Sequence, residues 1–284
     1  STDGPSYASI KVKVYKETSA GVYALARTEN YVGVNGYNEY SDGVNKINDN
    51  EIITLLANNL KTHYYYRTSP IPYVNVFVDS AVGDTLELNY RDARGRNLVT
   101  TSLIAAGDAA QQQLLKVPLT TSSIKYDEQN TLEIKYVRGA ESYIFNYKVV
   151  ALCEIKYTPI VCSFINKKGG WEFLTFFKAT TQSVTMENTS FKLNAAAIAY
   201  DPFKGQVKNF NTNGNESIKL NTGWIEEIQN ETIRELMLSE TILLDNKPVS
   251  LMTKQTILKT DINDKNINYT IDFNYNFELI NNVV

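Results

Sequence analysis

The sequence predicts an all-β protein with two β-sandwich-like domains, the second carrying one helix packed on a sheet and the first a short helix. Strict apolar/polar alternation near the carboxyl end is typical of a strand with one buried face. The 19 Tyr and 11 Phe, against only 3 Met, favour sheets because aromatic side chains pack well on a pleated face. Similar short segments recur along the chain, separated by turn-forming residues. The alternating apolar residues of the last segment are Tyr269, Ile271, Phe273, Tyr275, Phe277 and Leu279.

The first predicted domain covers residues 1–157 and opens with an alternating strand over residues 8–14. Residues 33–50 are dense in Gly, Asn, Asp and Ser, which favour turns, and predict a long excursion. An Asp-Asn pair then precedes an apolar-periodic run that predicts a short helix near residues 50–60. The apolar residues of that run are Ile52, Leu55, Leu56 and Leu60.

Short strands fill the rest of the first domain. Seven or so such strands with turn signals between them favour a sandwich. Residues 92–96 resemble a hairpin connection. The predicted strands cover residues 73–78, 85–90, 98–103, 114–119, 131–136 and 143–156.

The second predicted domain covers residues 158–284, because Pro159 interrupts a strand ladder where a second pattern begins. Residues 166–170 predict a turn between two strands, and residues 208–216 predict a polar loop. The predicted strands cover residues 160–165, 171–178, 183–186, 191–193, 249–251, 256–259 and 268–280.

One longer helix is predicted near residues 224–239 of this second domain. It follows an Asn-Thr-Gly sequence that suits a helix start. Four residues at helical spacing form one stripe that should cover a sheet. These are Ile225, Ile228, Thr232 and Leu236.

The composition argues against several classes of protein. The formal net charge is −3, and no run of Lys or Arg forms a basic stripe, so sequence-specific nucleic-acid binding is not expected. DNA passing nearby without firm contact is compatible with this charge, because backbone binding needs clustered cations. No segment approaches the roughly 20 apolar residues that span a bilayer, and the polar start does not resemble a signal peptide. A product made in the cytoplasm is expected.

The sequence indicates no catalytic, cofactor or metal site. His63 is the only histidine, which argues against a triad with a histidine base and against multi-histidine metal sites. We expect it to have a helix-end or a packing role. Cys153 and Cys162 are too few for a disulfide framework, so two buried or half-buried thiols are favoured and a single bridge stays open. No phosphate loop or dinucleotide fingerprint occurs.

Two polar segments imitate calcium-binding loops but lack the ligands. In a calcium loop that starts at residue 209, the twelfth position, which needs a bidentate carboxylate, is Leu220. In one that starts at residue 261, a ligand position is occupied by Lys265. Both are expected to be loops without a metal. A glycosidase needs two facing carboxylates. Glu172, Glu226 and Glu227 are conceivable, but we expect ordinary surface acids.

The second half resembles virion structural proteins of tailed bacteriophages that infect Bacteroidetes, including crAss-like phages. The resemblance covers roughly residues 160–284 and depends on the order of three motifs. They are Phe-Ile-Asn-Lys-Lys-Gly-Gly-Trp-Glu-Phe at residues 164–173, Lys-Leu-Asn-Thr-Gly-Trp at residues 219–224 before an acidic helix, and Asn-Tyr-Thr-Ile-Asp-Phe at residues 268–273.

The resemblance implies a virion component of the tail, neck or baseplate region that acts by assembly and not as an enzyme. Its expected partners are copies of itself in a ring, other phage tail or neck proteins, and genomic DNA nearby without sequence-specific contact. Residues 33–50 and 200–216 are expected to meet neighbouring subunits. The alternative is a carbohydrate-binding or host-adhesion module, in which exposed aromatics stack on sugars. The candidate aromatics are Trp171, Tyr37, Tyr40 and Tyr64 to Tyr66.

Overall fold

The computed structural model is nearly all β with one short α-helix, and this confirms the predicted all-β, sandwich-like fold class. It describes residues 7–37, 39–40, 52–58, 62–65, 71–120, 129–152, 156–193, 203, 205–258 and 267–280. Statements about structure concern these residues.

The first half contains ten strands, and the first two form a separate two-stranded sheet. The remaining eight form two sheets around one core. The bounds are β1 Tyr7–Ser19, β2 Val22–Val34, β3 Ile53–Leu55, β4 Thr62–Tyr65, β5 Tyr73–Ser80, β6 Thr85–Arg91, β7 Asn97–Ile104, β8 Gln111–Pro118, β9 Gln129–Arg138 and β10 Glu141–Ala151.

The N-terminal sandwich places a five-stranded sheet, in the order β4-β10-β9-β6-β7, opposite a three-stranded sheet, in the order β3-β5-β8. Alternate residues of β5, β6 and β9 point into one hydrophobic core that includes Val76, Leu88 and Ile134. All three are fully buried. The strands predicted at residues 73–78, 85–90 and 131–136 are therefore present.

The second half forms one seven-stranded sheet in the order β12-β11-β15-β16-β17-β14-β13. Its core joins Phe164, Phe176 and Phe273 of the sheet to Ile233 and Leu236 of the helix. The bounds are β11 Ile160–Ile165, β12 Trp171–Phe176, β13 Thr181–Lys192, β14 Val207–Asn221, α1 Asn230–Leu238, β15 Ile242–Leu244, β16 Lys247–Leu251 and β17 Thr270–Glu278.

The short helix predicted near residues 50–60 is wrong where the structure describes this segment. Ile53–Leu55 form strand β3, which pairs antiparallel with β5. The Leu56 N–H continues this pairing by donating to the Asn75 carbonyl oxygen at 2.9 Å. Apolar spacing in so short a run does not separate helix from strand, and β-branched residues at its start favour the strand.

The polar loop predicted at residues 208–216 is also wrong, because this segment belongs to β14 and pairs with β13 along its length. Residues 256–258 show no regular structure, so the strand predicted there is not formed in the described part. Polar composition alone thus misassigned the strand, since residues 207–211 are all exposed and residues 208–216 are rich in asparagine, as loops are.

The predicted helix is present but begins later. Residues 227–229 form a 3₁₀ turn, and α1 starts at Asn230. Ile225 instead forms an isolated bridge with Ile267, its N–H donating to that carbonyl oxygen at 2.8 Å. Three members of the predicted stripe are buried, but Ile228 is exposed.

Candidate functional site

The turn between β11 and β12, residues 166–170, is held together by a buried asparagine, and we call it the junction turn. The Asn166 Oδ1 accepts hydrogen bonds from the N–H groups of Lys168 at 3.0 Å and Gly170 at 2.9 Å. Gly169 adopts a φ of +81°, a left-handed conformation that favours glycine. The turn predicted from the sequence is therefore present, with bonds that asparagine typically makes in turns.

The junction turn packs against the N-terminal sandwich without room for a side chain. Asn166 Nδ2 donates to the Leu56 carbonyl oxygen at 3.1 Å, and the Trp171 N–H donates to Asn75 Oδ1 at 3.1 Å. A Cβ atom added to Gly170 would lie 1.8 Å from the Leu56 carbonyl oxygen. The sandwich and the seven-stranded sheet therefore meet backbone to backbone at this glycine.

The base of the β1–β2 hairpin contacts the same turn. The Tyr37 N–H donates to the Lys167 carbonyl oxygen at 2.9 Å. A Cβ atom on Gly36 would lie 2.5 Å from that oxygen. Glu39 pairs with Lys167, with Nζ and Oε1 3.7 Å apart, and with Arg234 of α1. The hairpin, the sandwich and the helix are thus all connected to the junction turn.

Two buried carboxyl groups, Glu172 and Glu235, lie next to the junction turn. Glu172 is 2% exposed and accepts hydrogen bonds from Asn166 Nδ2 at 3.0 Å and from the Asn58 N–H. The Asn58 side chain donates to Thr232 Oγ1 at 2.9 Å and reaches Glu235 Oε2 at 3.5 Å. Side chains from β12, from the segment after β3 and from α1 therefore form one polar cluster.

This environment raises the pKa of both carboxyl groups. Burial raises the pKa of Glu172 to about 8, and the nearby Glu235 adds to the increase, although hydrogen bonds from Asn166 and Asn58 oppose it. Burial also raises the pKa of Glu235 to about 7, with Glu231 adding to it. Removing a carboxylate from water disfavours its charged form. The cluster is therefore most stable with neutral carboxylic acids.

The acidic pair is closed to a substrate. A glycosidase needs two carboxyl groups that flank an accessible sugar. Glu172 and Glu235 are 2% and 5% exposed, so neither carboxyl group is open to a sugar. The expectation that Glu172 is an ordinary surface acid is wrong, whereas Glu226 and Glu227 are exposed as expected. The geometry assigns Glu172 a structural contact between the halves of the chain.

The β1–β2 hairpin, residues 7–34, projects from the junction turn, and we call it the arm. Within the described residues β1 pairs only with β2, and every side chain at residues 10–28 is exposed. A two-stranded hairpin alone is at best marginally stable in water, and monomers rarely expose so extended an apolar surface. Its exposed large apolar residues are Ile10, Val12, Val14, Tyr15, Val22, Tyr23, Leu25 and Tyr31.

A β-bulge divides this apolar surface between the two faces of the arm. The pairing register shifts between Val14 and Tyr15. On the basal side, Val12 and Val14 share a face with Tyr31, because residues alternate and cross-strand partners point the same way. On the distal side, Tyr15 pairs with Leu25 on the opposite face. The arm therefore presents one apolar strip near its base and another near its tip.

The β13–β14 hairpin is a second exposed surface. β13 is an edge strand of the seven-stranded sheet, and all 12 of its residues are exposed. An exposed edge of this length offers unpaired backbone N–H and C=O groups to another strand. Exposed apolar residues on this hairpin are Val184, Met186, Phe191, Val207 and Phe210.

The aromatic residues considered as sugar platforms differ in exposure. Trp171 is 7% exposed, so its ring offers no open face to a sugar. Tyr64 is half-buried, and its neighbour Tyr66 lies outside the described residues. Tyr40 is fully exposed and lines, together with the half-buried Tyr37, an open groove of about 750 Å³ beside α1. Among the candidate aromatics whose side chains the structure describes, the two that line this groove are the ones placed to stack on a sugar.

The other residues examined for chemistry have structural positions. His63 is buried in β4, and its ring centroid lies 5.9 Å from that of Tyr147, so of the two expected roles it has the packing role and not the helix-end one. Cys162 is a free, buried thiol whose pKa burial raises, and Cys153 lies outside the described residues. Of the calcium-like segments, residues 209–215 are in β14 and residues 261–266 are not described.

No group of three or more His, Cys, Asp or Glu side chains is placed to hold a metal ion in the part of the chain that the structure describes. Among the same residues, no helix combines the length and apolarity needed to cross a membrane.

The sequence analysis missed Glu235 and Asn58. Glu235 lies between Thr232 and Leu236, both buried in α1, so a carboxylate on the buried side of the helix was the available signal. Asn58 carried no such signal, because its role depends on contacts with Thr232 and Glu235 more than 170 residues away.

Comparisons with protein-family models, with curated proteins and with solved structures found no match.

Proposed function

We propose that this chain is a structural subunit of a tailed-phage virion in the tail, neck or baseplate region, and not an enzyme. It acts by assembling with copies of itself and with other phage proteins around the DNA path. The arm is the observation that supports assembly, and the resemblance of three sequence motifs supports the placement in a virion.

The arm is suited to assembly because its base is anchored and the rest of it is exposed. Tyr37 and Glu39 connect its base to the junction turn, while residues 10–28 are all exposed. Burying apolar surface contributes about 25 cal/mol per Å². Covering the arm with a neighbouring protein therefore provides the stabilisation that a solvated two-stranded ribbon lacks.

Such an arm produces a head-to-tail contact, because the surface that receives it differs from the arm itself. Contacts of this type close into rings when the rotation between subunits fits. The net charge of −3 adds no strong attraction to phosphates, which suits a subunit that lets the genome pass. In this proposal the protein is made in the bacterial cytoplasm and resides in the virion.

Replacing the apolar residues at the arm tip should abolish self-association and leave folding intact. Tyr15→Thr, Tyr23→Thr and Leu25→Thr keep strand propensity but remove exposed apolar surface. We expect the triple variant to remain monomeric at concentrations where the wild type forms oligomers, with an unchanged midpoint of urea unfolding. Sedimentation velocity and light scattering on purified protein measure this difference.

The matched control removes the same kind of surface elsewhere, through Val82→Thr, Leu98→Thr and Ile144→Thr, which are exposed on the N-terminal sandwich. This control should assemble like the wild type. Assembly that survives the arm substitutions would exclude the arm as the contact. A wild type that stays monomeric and is absent from purified virions would refute the proposed function.

A carbohydrate-binding or host-adhesion module is the second candidate, and the groove beside α1 favours it. Tyr40 is fully exposed there, and Arg234 and Glu39 supply polar groups at the rim. Tyr40→Ala should then abolish binding on a glycan array without changing the unfolding midpoint. An array without any bound glycan would remove this candidate.

A further inference from the structure

The arm carries free positive charge. Residues 7–34 contain Lys11, Lys13, Lys16 and Arg27 against Glu17 and Glu29, an excess of two positive charges. Both carboxylates are engaged within the arm, since Glu29 contacts Arg27 and Tyr31, and Glu17 accepts a 2.9 Å hydrogen bond from the Gly21 N–H. The lysines form no ion pair with the described residues. Their charge is therefore available to a partner.

Two of these lysines share a face with the apolar tip of the arm. Lys11 and Lys13 alternate in step with Tyr15, which pairs with Leu25 across the hairpin. Tyr23, also on this side, is 65% exposed. This face therefore combines cations near the base with aromatic and aliphatic residues near the tip.

The surface that precedes α1 has the complementary composition, and we call it the acidic ledge. Residues 224–231 contain three glutamates and no lysine or arginine. Two apolar residues of the same segment, Trp224 and Ile228, are 55% and 51% exposed, respectively. The exposed glutamates of the ledge are Glu226, Glu227 and Glu231.

We propose that the arm of one copy packs on the acidic ledge of a second copy. Lys11 and Lys13 then face Glu226 and Glu227, and the apolar tip covers Trp224 and Ile228. Opposite charges at the rim of an apolar contact set its register and its partner. This inference depends on the proposed assembly function and specifies its partner. The arm and ledge are both exposed within one chain, so the contact joins different copies.

Each copy offers both an arm and a ledge, so this contact is head-to-tail and can repeat from copy to copy. A second copy is preferred to another occupant because the charges of the two surfaces are opposite and both surfaces carry exposed apolar residues. Docking of the arm on a different virion protein is an outcome that the experiment distinguishes.

Charge reversal tests the contact directly. The arm variant carries Lys11→Glu and Lys13→Glu, and the ledge variant carries Glu226→Lys and Glu227→Lys. Each variant alone should weaken self-association by about tenfold or more, because like charges then face each other. An equimolar mixture should recover wild-type association, since every contact between unlike copies again joins opposite charges. Sedimentation velocity measures each dissociation constant.

The matched control, Lys208→Glu with Lys254→Glu, makes the same change of charge at exposed sites outside the arm and ledge, and it should associate like the wild type. Unchanged unfolding midpoints exclude misfolding. A second readout pairs Tyr15→Cys with Ile228→Cys. Oxidation should give a disulfide-linked dimer that neither single variant forms.

The outcomes separate this inference from the proposed function. Reversals that do not rescue each other overturn the arm–ledge contact. If the apolar arm variant still fails to assemble, the proposed function stands. A wild type that is monomeric yet bound in purified virions also overturns the contact, because the arm then docks on another virion protein. A chain that is monomeric and absent from virions refutes both.

Discussion

Gly170→Ala should lower the free energy of unfolding by about 3 kcal/mol or more, a loss typical of severe overpacking. The added Cβ would lie 1.8 Å from the Leu56 carbonyl oxygen. That oxygen also accepts a hydrogen bond from Asn166 Nδ2. Relief of the clash must therefore separate the N-terminal sandwich from the junction turn. Urea unfolding, followed by the fluorescence of the nearby buried Trp171, measures the loss.

Gly107→Ala provides the matched control. No heavy atom lies within 4 Å of a Cβ at this position, and Gly107 is exposed. Its effect should stay within about 0.5 kcal/mol, as is usual for surface substitutions. Equal stability of the Gly170→Ala protein and the wild type would show that the two halves do not meet as described.

The wild-type protein should lose stability as the pH rises from about 5 to about 9. The pKa of Glu172 is about 8 and that of Glu235 about 7 in the folded protein, both raised by burial. In the unfolded chain the pKa of both groups is near 4.5, the ordinary value for glutamate. The folded state thus binds protons at these two carboxyl groups more tightly than the unfolded chain does. The resulting stabilisation of the folded state is complete below about pH 4.5 and is lost as the pH passes 7 and 8.

The expected loss is on the order of 6 kcal/mol in the free energy of unfolding, since each pKa unit corresponds to about 1.4 kcal/mol. Lys167 and Lys168 face the pair and favour its charged forms, whereas Glu231 opposes them. Asp84 does not contribute to the loss of stability between pH 5 and pH 9, because its pKa is lowered. Burial alone would raise it, but hydrogen bonds from Arg138, Ala81 and Tyr136 lower it below its ordinary value.

Urea midpoints at intervals between pH 5 and pH 9 measure this dependence. Glu172→Gln keeps the shape of the side chain without an ionisable group, so its stability should vary much less over this range. Glu240→Gln, at an exposed carboxyl just after α1, should retain the wild-type profile. A wild type whose stability is flat, or increases, from pH 5 to pH 9 would contradict the assigned cluster.

Much of the fold could be predicted because strands with one buried face repeat in the sequence with a period of two. The buried residues Ile271 and Phe273 of β17 are an example. The same rule fails where both faces are solvated, as in residues 207–211 of β14, because an exposed, Asn-rich segment has the composition of a loop. It also fails for β3, where spacing in a short apolar run fits helix and strand equally.

The junction turn shows a different limit. Its Asn-Lys-Lys-Gly-Gly sequence predicted a turn, and that prediction is confirmed by the bonds of Asn166. Its contacts with Leu56 and Asn75 join residues that are about a hundred positions apart in sequence. Long-range packing of this kind leaves no local pattern. The acidic cluster was missed for the same reason.

The sequence predicted only part of the arm. The alternation in residues 8–14 predicted its first strand, but it equally suited a strand with one face in a core. Only the pairing shows that β1 has a single neighbour, β2, within the described residues. Exposure of apolar residues such as Val12 and Tyr23 is a property of the fold that periodicity does not contain.

Cryo-electron microscopy of purified virions of the phage that we propose encodes this chain tests the central claim most directly. The account predicts copies of this chain repeated around the tail, neck or baseplate axis, with the arm of each copy buried against a neighbour. A map in which the chain is absent, or in which its arm extends into solvent without a partner, would contradict the account.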